Sequence, residues 1–226
     1  MQRLAATLLV ALALAPLSEA VATQTWVEGR DYVPLTPAQH TTVPAGKIEV
    51  MEVFSYGCPA CNNFEPVMSR LRHSLPPNVQ VVLLPAAFNA NEDWPVFQRA
   101  YFAAASLGIA ERTHQAIFDA IWKTGELGIS DPATHELKSR LPSLQDAARC
   151  YARIAGVKSE EFLAAANSFA VDMKMRAADA QIFEMQVPST PCIVVNGRYR
   201  GNMDTRRSGD EVIDLVRFLV ARESKH

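Results

Sequence analysis

Cysteine is scarce in this chain, with four in 226 residues: Cys58, Cys61, Cys150 and Cys192. So few cannot staple a fold of this length, so a hydrophobic core has to hold it together. Histidine is scarce as well, and His40, His73, His114, His135 and His226 form no pair at zinc-finger spacing. With Cys150 and Cys192 isolated in sequence, the ligand spacing argues against a zinc site, and no metal or other cofactor is expected. Charge of one sign is also lacking. A net charge of −2 with both signs mixed along the chain gives no support for nucleic-acid binding or for electrostatic attachment to a membrane. Beyond the first residues no run is long and apolar enough to span a bilayer, and there is no internal repeat or low-complexity segment.

The N-terminus reads as a secretory signal peptide. Arg3 gives a positive start, Leu4–Ala15 an apolar stretch, and small residues offer cleavage after Ala20 or Ala22. The apolar stretch is shorter than the roughly 20 residues of a spanning helix. Taking residues 1–22 as removed leaves about 200 residues, ample for one hydrophobic core. A soluble exported protein is expected, and export places the cysteines in a compartment where disulfides persist.

Lys47–Phe54 is apolar and β-branched and predicts a buried strand, and Val79–Leu84 predicts a second. Between them Cys61, Phe64, Met68, Leu71 and Leu75 recur at helical spacing, so the order is β-α-β and the two strands should be parallel. A short strand is expected near Tyr32–Leu35. From about 91 to 170 the β signal vanishes, and helices are predicted at Pro95–Leu107, Glu111–Lys123, Pro132–Leu141, Leu144–Ala155 and Ser159–Met175. The β signal returns at Pro191–Tyr199, with Asn196-Gly197 predicting a type I′ hairpin turn. Ser208–Arg222 closes the chain as an amphipathic helix.

The chemistry concentrates at Cys58-Pro59-Ala60-Cys61, where the first strand hands over to the helix. A cysteine at a helix entrance meets unpaired backbone N–H groups and the positive end of the helix dipole, and both favour a thiolate over a thiol. A second cysteine one turn inside can close a small disulfide ring or resolve a mixed disulfide. A structural disulfide is the competing reading, although a strand–helix junction needs no staple. The second feature is Val187-Pro188-Ser189-Thr190-Pro191, just before a strand. Taken alone Pro191 would be an ordinary trans turn proline, but with a C-x-x-C upstream in a β-α-β chain the Thr190-Pro191 peptide is expected to be cis.

The whole order resembles the DsbA family of thioredoxin-fold oxidoreductases. The marks that carry the resemblance are Glu52-Val53-Phe54-Ser55-Tyr56-Gly57-Cys58-Pro59-Ala60-Cys61 with Phe64-Glu65. Further marks are Glu160-Glu161-Phe162, Asn167-Ser168-Phe169, and Pro191 with Val195-Asn196-Gly197. The resemblance implies an α/β thioredoxin fold, built from residues 23–90 and 171–226, with an inserted helical domain at 91–170. It implies that Cys58 and Cys61 are catalytic and that cis Pro191 faces them. Thr190 and Pro191 would hold a substrate chain in extended form, with Pro59, Ala60, Val187 and Thr190 as the apolar substrate rim. The implied activity is a periplasmic oxidase that passes its disulfide to reduced, newly exported proteins, acts as a monomer and is reoxidised by a DsbB-like inner-membrane protein.

Other residues leave choices open. Glu52, inside an apolar strand, is expected beneath the disulfide, where a carboxyl of raised pKa can exchange a proton with Cys61. Glu65 is expected to be a surface carboxylate. Val79–Leu84 lacks the lysine that the family often places there, which predicts a reduced charge network. Cys150 and Cys192 are either two buried apolar thiols or a second disulfide linking the helical module to the thioredoxin domain. Rival activities are a disulfide isomerase or reductase, and a redox-silent peptide-binding module. The stretch Thr23–Pro44 has no room for the dimerisation domain that isomerases of this compartment carry, and Cys61 supplies the second cysteine that glutathione-dependent isomerases lack.

Ala60 departs from the histidine that the family's best-known members carry at the second dipeptide position. Histidine donates to the thiolate or places positive charge beside it, and alanine does neither. Ala60→His is therefore expected to make the protein a stronger oxidant when equilibrated with glutathione. A potential unchanged or less oxidising would refute that reading.

Overall fold

The computed structural model describes residues 25–226 except 132, 135, 137, 204–206, 225 and 226. The expected signal segment 1–22 lies outside the described residues. A mixed five-stranded sheet forms the centre, in the order β1-β5-β4-β2-β3. β2 (Ile48–Phe54) is buried along its whole length, its two glutamates Glu49 and Glu52 included, and pairs in parallel with β3 (Val79–Pro85). On its other side β2 pairs antiparallel with β4 (Cys192–Val195), β4 with β5 (Tyr199–Gly201), and β5 with the short edge strand β1 (Tyr32–Pro34). At the β4–β5 turn Asn196 and Gly197 both have positive φ, 51° and 62°, the backbone that a type I′ turn requires. A Cβ on Gly197 would sit 2.2 Å from the Gln39 carbonyl oxygen, so glycine is demanded twice over.

One face of the sheet carries α1 (Pro59–Ser74) and α7 (Gly209–Glu223), through Met68, Leu71, Leu215, Val216 and Leu219 packed on Val50, Ile193 and Val195. Ser208 and Glu211 form a reciprocal capping box at the start of α7. The other face carries α6 (Phe169–Glu184), whose Ala178 and Ile182 cover Met51, Val53 and Val194. The helical module consists of α2 (Trp94–Ser106), α3 (Ala110–Phe118) running into a π-helical turn at Asp119–Lys123, α4 (Leu144–Ala155) and α5 (Ser159–Ala166). Its core is continuous with Phe54, Tyr56, Cys58 and Cys61, so the module packs directly against the C-x-x-C end of the sheet.

Two predicted helices are corrected. Residues 133–140, where described, form turns and bends rather than a helix. The Asp131 carboxylate accepts from the N–H groups of Ala133 and Thr134 at 2.8 and 3.1 Å, and Lys138 N–H donates to the Ile129 carbonyl at 2.8 Å, closing a loop. The helix expected over Ser159–Met175 is broken at Asn167–Ser168, because the Ser168 hydroxyl caps Val171 N–H and starts α6 there. α6 then runs across the expected boundary at residue 170.

Within the module Phe162 is fully buried and stacked on Tyr151, with ring centroids 4.5 Å apart and planes 21° from parallel. Phe162→Ala is expected to cost about 3–5 kcal/mol by urea unfolding, combining lost transfer energy with an unfilled cavity.

Candidate active site

Pro59 opens α1 as its first residue, where a missing N–H costs nothing, and this makes Cys58 the N-cap, with φ −92° and ψ 116°. The Cys58 carbonyl accepts from Cys61 N–H at 3.1 Å and from Asn62 N–H at 3.2 Å. Gly57, just before it, lies under the α2 entrance: a Cβ there would meet the Trp94 ring at 2.8 Å and Asp93 Oδ1 at 3.0 Å. The strand–helix junction is thus clamped from the helical module, and Trp122 Nε1 adds a hydrogen bond to the Tyr56 carbonyl at 2.9 Å.

The Thr190-Pro191 peptide is cis, and the Thr190 carbonyl lies 3.5 Å from Cys58 Sγ, accepting from the thiol. Pro59 and Ala60 are exposed beside this pair, whereas Val187, expected on the rim, is only 8% exposed and packs into the core beneath α6. An apolar cleft of about 360 Å³ starts at Ala60 and Pro191 and runs along Phe64, Val67, Met203 and Val212.

The two sulfurs differ sharply. Cys58 is held down to about 6, first by the hydrogen bond from the Cys61 thiol and further by Thr190 and the N–H groups of Cys61 and Ala60, against the cost of burial. Cys61 is fully buried, and burial together with the adjacent Cys58 pushes its thiol far above the ordinary range. Glu52 is also fully buried, with neither carboxylate oxygen hydrogen-bonded among the described residues. Burial and the neighbouring Glu65 push it up to about 8, and Arg72 partly opposes this.

Glu65 differs from expectation. It is 6% exposed, because the helical module covers this part of α1 and supplies His114, whose Nε2 lies 3.1 Å from Glu65 Oε1. The charge network is likewise not reduced. Arg72, two turns further along α1, places Nη2 3.9 Å from Glu52 and Nη1 3.9 Å from Glu65. The cation comes from the helix, not from β3. Spacing made Arg72 findable, since Glu65, Met68 and Arg72 share one helical face. His114 left a weaker trace: it falls in the stripe Thr113, His114, Ile117, Phe118 that buries α3, but nothing local gave it a partner. Cys150 and Cys192 are not brought together. Both are free and buried, Cys150 in the helical-module core and Cys192 against α6 beneath the sheet.

A thioredoxin-like sheet with a C-x-x-C at the first helix entrance, a cis proline against it and an inserted helical module defines the class, and the thioredoxin family model matches residues 43–214. The chain is 33% identical over 198 residues to the thiol:disulfide interchange protein DsbA of Pseudomonas aeruginosa, covering 88% of this chain and 86% of that one. It is 30% identical over 220 residues to DsbA of Burkholderia cepacia, covering 97% and 96%. The crystal structure of the oxidoreductase DsbA from Xylella fastidiosa superposes with a TM-score of 0.75 at 33% identity, covering 88% of this chain and 98% of that one. The chain belongs to the DsbA family of thiol:disulfide oxidoreductases.

The folded Cys58 pKa near 6 lies below the ordinary thiol value of 9, so between them the unfolded reduced chain binds more protons than the folded one. Relative to the disulfide form, which lacks this group, the reduced protein should therefore gain stability as pH rises across that window and lose that advantage as pH falls through about 6; Glu52, whose raised pKa acts in the opposite sense, is present in both forms. Alkylation of the reduced protein should titrate with a midpoint near pH 6, and Cys58→Ser should remove that transition. A midpoint in the ordinary thiol range would refute the assignment.

Proposed function

We propose that this chain is a periplasmic dithiol oxidase that donates a Cys58–Cys61 disulfide to reduced, newly exported proteins. The observation that carries the reading is the asymmetry of the pair: one sulfur at a helix N-cap with a depressed pKa, the other buried with a raised one. A substrate thiolate attacks Cys58 Sγ, the sulfur at the surface end of the pair, and the Cys58–Cys61 bond breaks. Cys61 leaves with the electron pair and takes a proton, for which Glu52 is the buried donor. A second substrate thiolate attacks the substrate sulfur of the mixed disulfide, and Cys58 departs as a stabilised thiolate. Two electrons have then passed from substrate to enzyme. Because the leaving thiolate is stabilised, the reaction runs toward substrate oxidation.

Thr190, beside the cis Pro191, offers its backbone to an extended substrate segment next to Cys58, and the cleft along Ala60, Phe64 and Val67 takes apolar side chains. Reoxidation falls to a quinone-linked membrane protein of the DsbB type, as the family membership supports.

The deciding experiment is oxidative refolding of a reduced two-disulfide substrate with catalytic amounts of the protein in a glutathione buffer. Rapid disulfide formation that needs both cysteines, a trapped mixed disulfide with Cys61→Ser, and poor rescue of scrambled substrate are expected. Efficient unscrambling would make it an isomerase, and full function of Cys58→Ser would make it a redox-silent binding module.

A further inference from the structure

Two buried carboxylates sit close to one cation near Cys61, and only one of them has a second partner. Arg72 stands 3.9 Å from both Glu52 and Glu65. Glu65 Oε1 is also held by His114 Nε2 at 3.1 Å, while Glu52 has no hydrogen bond at either oxygen. His114 is itself fixed. Its Nδ1 lies 2.9 Å from the Tyr56 hydroxyl, and its ring packs edge-on against Phe54 and Phe118 with centroids 5.1 and 5.2 Å away. A carboxylate only accepts, so Nε2 donates to Glu65 and, in the neutral ring, Nδ1 accepts from Tyr56. Tyr56 stands two residues before Cys58, so one side chain of the helical module ties together the approach to the first cysteine and the carboxylate one turn past the second.

We propose that His114 is a positioning residue for the thiol chemistry: by holding Glu65 from the helical module, it keeps Arg72 shared between Glu65 and Glu52 and so sets the charge that Cys61 meets as it leaves the disulfide. Without the His114 donor, Glu65 keeps Arg72 as its remaining partner among the described residues and closes on it, and Glu52 loses that cation. The groups that face Glu52 are Cys61, Glu65 and Arg72 on α1 and Tyr101 on α2; His114 and Glu111 on α3 act on it through Glu65 and Tyr101. Arg72, Tyr101, Glu111 and His114 line one groove of about 690 Å³ between β3 and the module, so Arg72 has room to be drawn away from Glu52.

The inference rests on Cys58 and Cys61 being the redox pair, so its test reads Glu52 directly and not the enzymatic rate. Infrared difference titration of the Glu52 carboxyl, assigned by its loss in Glu52→Gln, is followed in the reduced full-length protein. His114→Leu should move the Glu52 midpoint upward by about one pH unit or more, the scale of a lost cation at this range. His114→Gln, which keeps a donor toward Glu65, should restore it. Glu65→Gln releases Arg72 to Glu52 and should move the midpoint downward, and adding His114→Leu in that background should change nothing further. An unchanged or lowered midpoint in His114→Leu overturns the proposal, as does a full upward shift in the double variant. Should His114→Leu fail to fold, Glu65→Gln and His114→Gln still decide: a Glu65→Gln midpoint that does not fall, or a His114→Gln midpoint that rises with the fold intact, overturns it. Failure of substrate oxidation with these titrations intact would instead strike the proposed activity.

Discussion

The structure turns on the way Cys58 is held at the first turn of α1. Its sulfur is the side chain of an N-cap, so it stands where backbone N–H groups have no partners of their own and where the helix dipole is positive. Because Pro59 occupies the first helical position, the helix starts sharply and the cysteine stays outside it. A thiolate there gains stabilisation that a disulfide does not, and this difference is the driving force of an oxidase. The cis peptide before Pro191 brings the Thr190 carbonyl to the same sulfur, so the helix entrance and the cis-proline segment meet although they lie 132 residues apart in sequence.

What surrounds that turn is contributed largely by the helical module. Trp94 and Asp93 close on Gly57, Trp122 holds the Tyr56 carbonyl, and His114 reaches Glu65. The insertion is part of the redox site's electrostatics as well as a cover over it. Glu52 shows the consequence. Buried, with no hydrogen bond among the described residues and with the Glu65 carboxylate nearby, its carboxyl resists ionisation where an exposed glutamate would be charged. Burying that group costs stability, and it interacts electrostatically with Cys61.

Elements fixed by short-range pattern were legible in the chain alone. β2, β3, α1, α2, α4 and α7 follow from apolar periodicity, and the Asn196-Gly197 turn from its backbone demands. Patterning failed where hydrogen bonds outside the helical pattern won. The Lys138 N–H, which a helix over 132–141 would pair with the Thr134 carbonyl, donates instead to the Ile129 carbonyl, and the Ser168 hydroxyl started a new helix inside an alanine-rich stretch that reads as continuous.

The sequence by itself placed the C-x-x-C at a strand–helix junction and predicted the cis peptide before Pro191, because each depends on neighbours within a few residues or on a motif with few structural solutions. Only the tertiary structure decided that Glu65 is buried, that Arg72 stands in for a strand lysine, that His114 belongs to the site, and that Cys150 and Cys192 lie in separate cores. Those facts concern which surfaces cover one another, and a carboxylate's surroundings are set by residues distant in sequence that the folding of the helical module brings within reach.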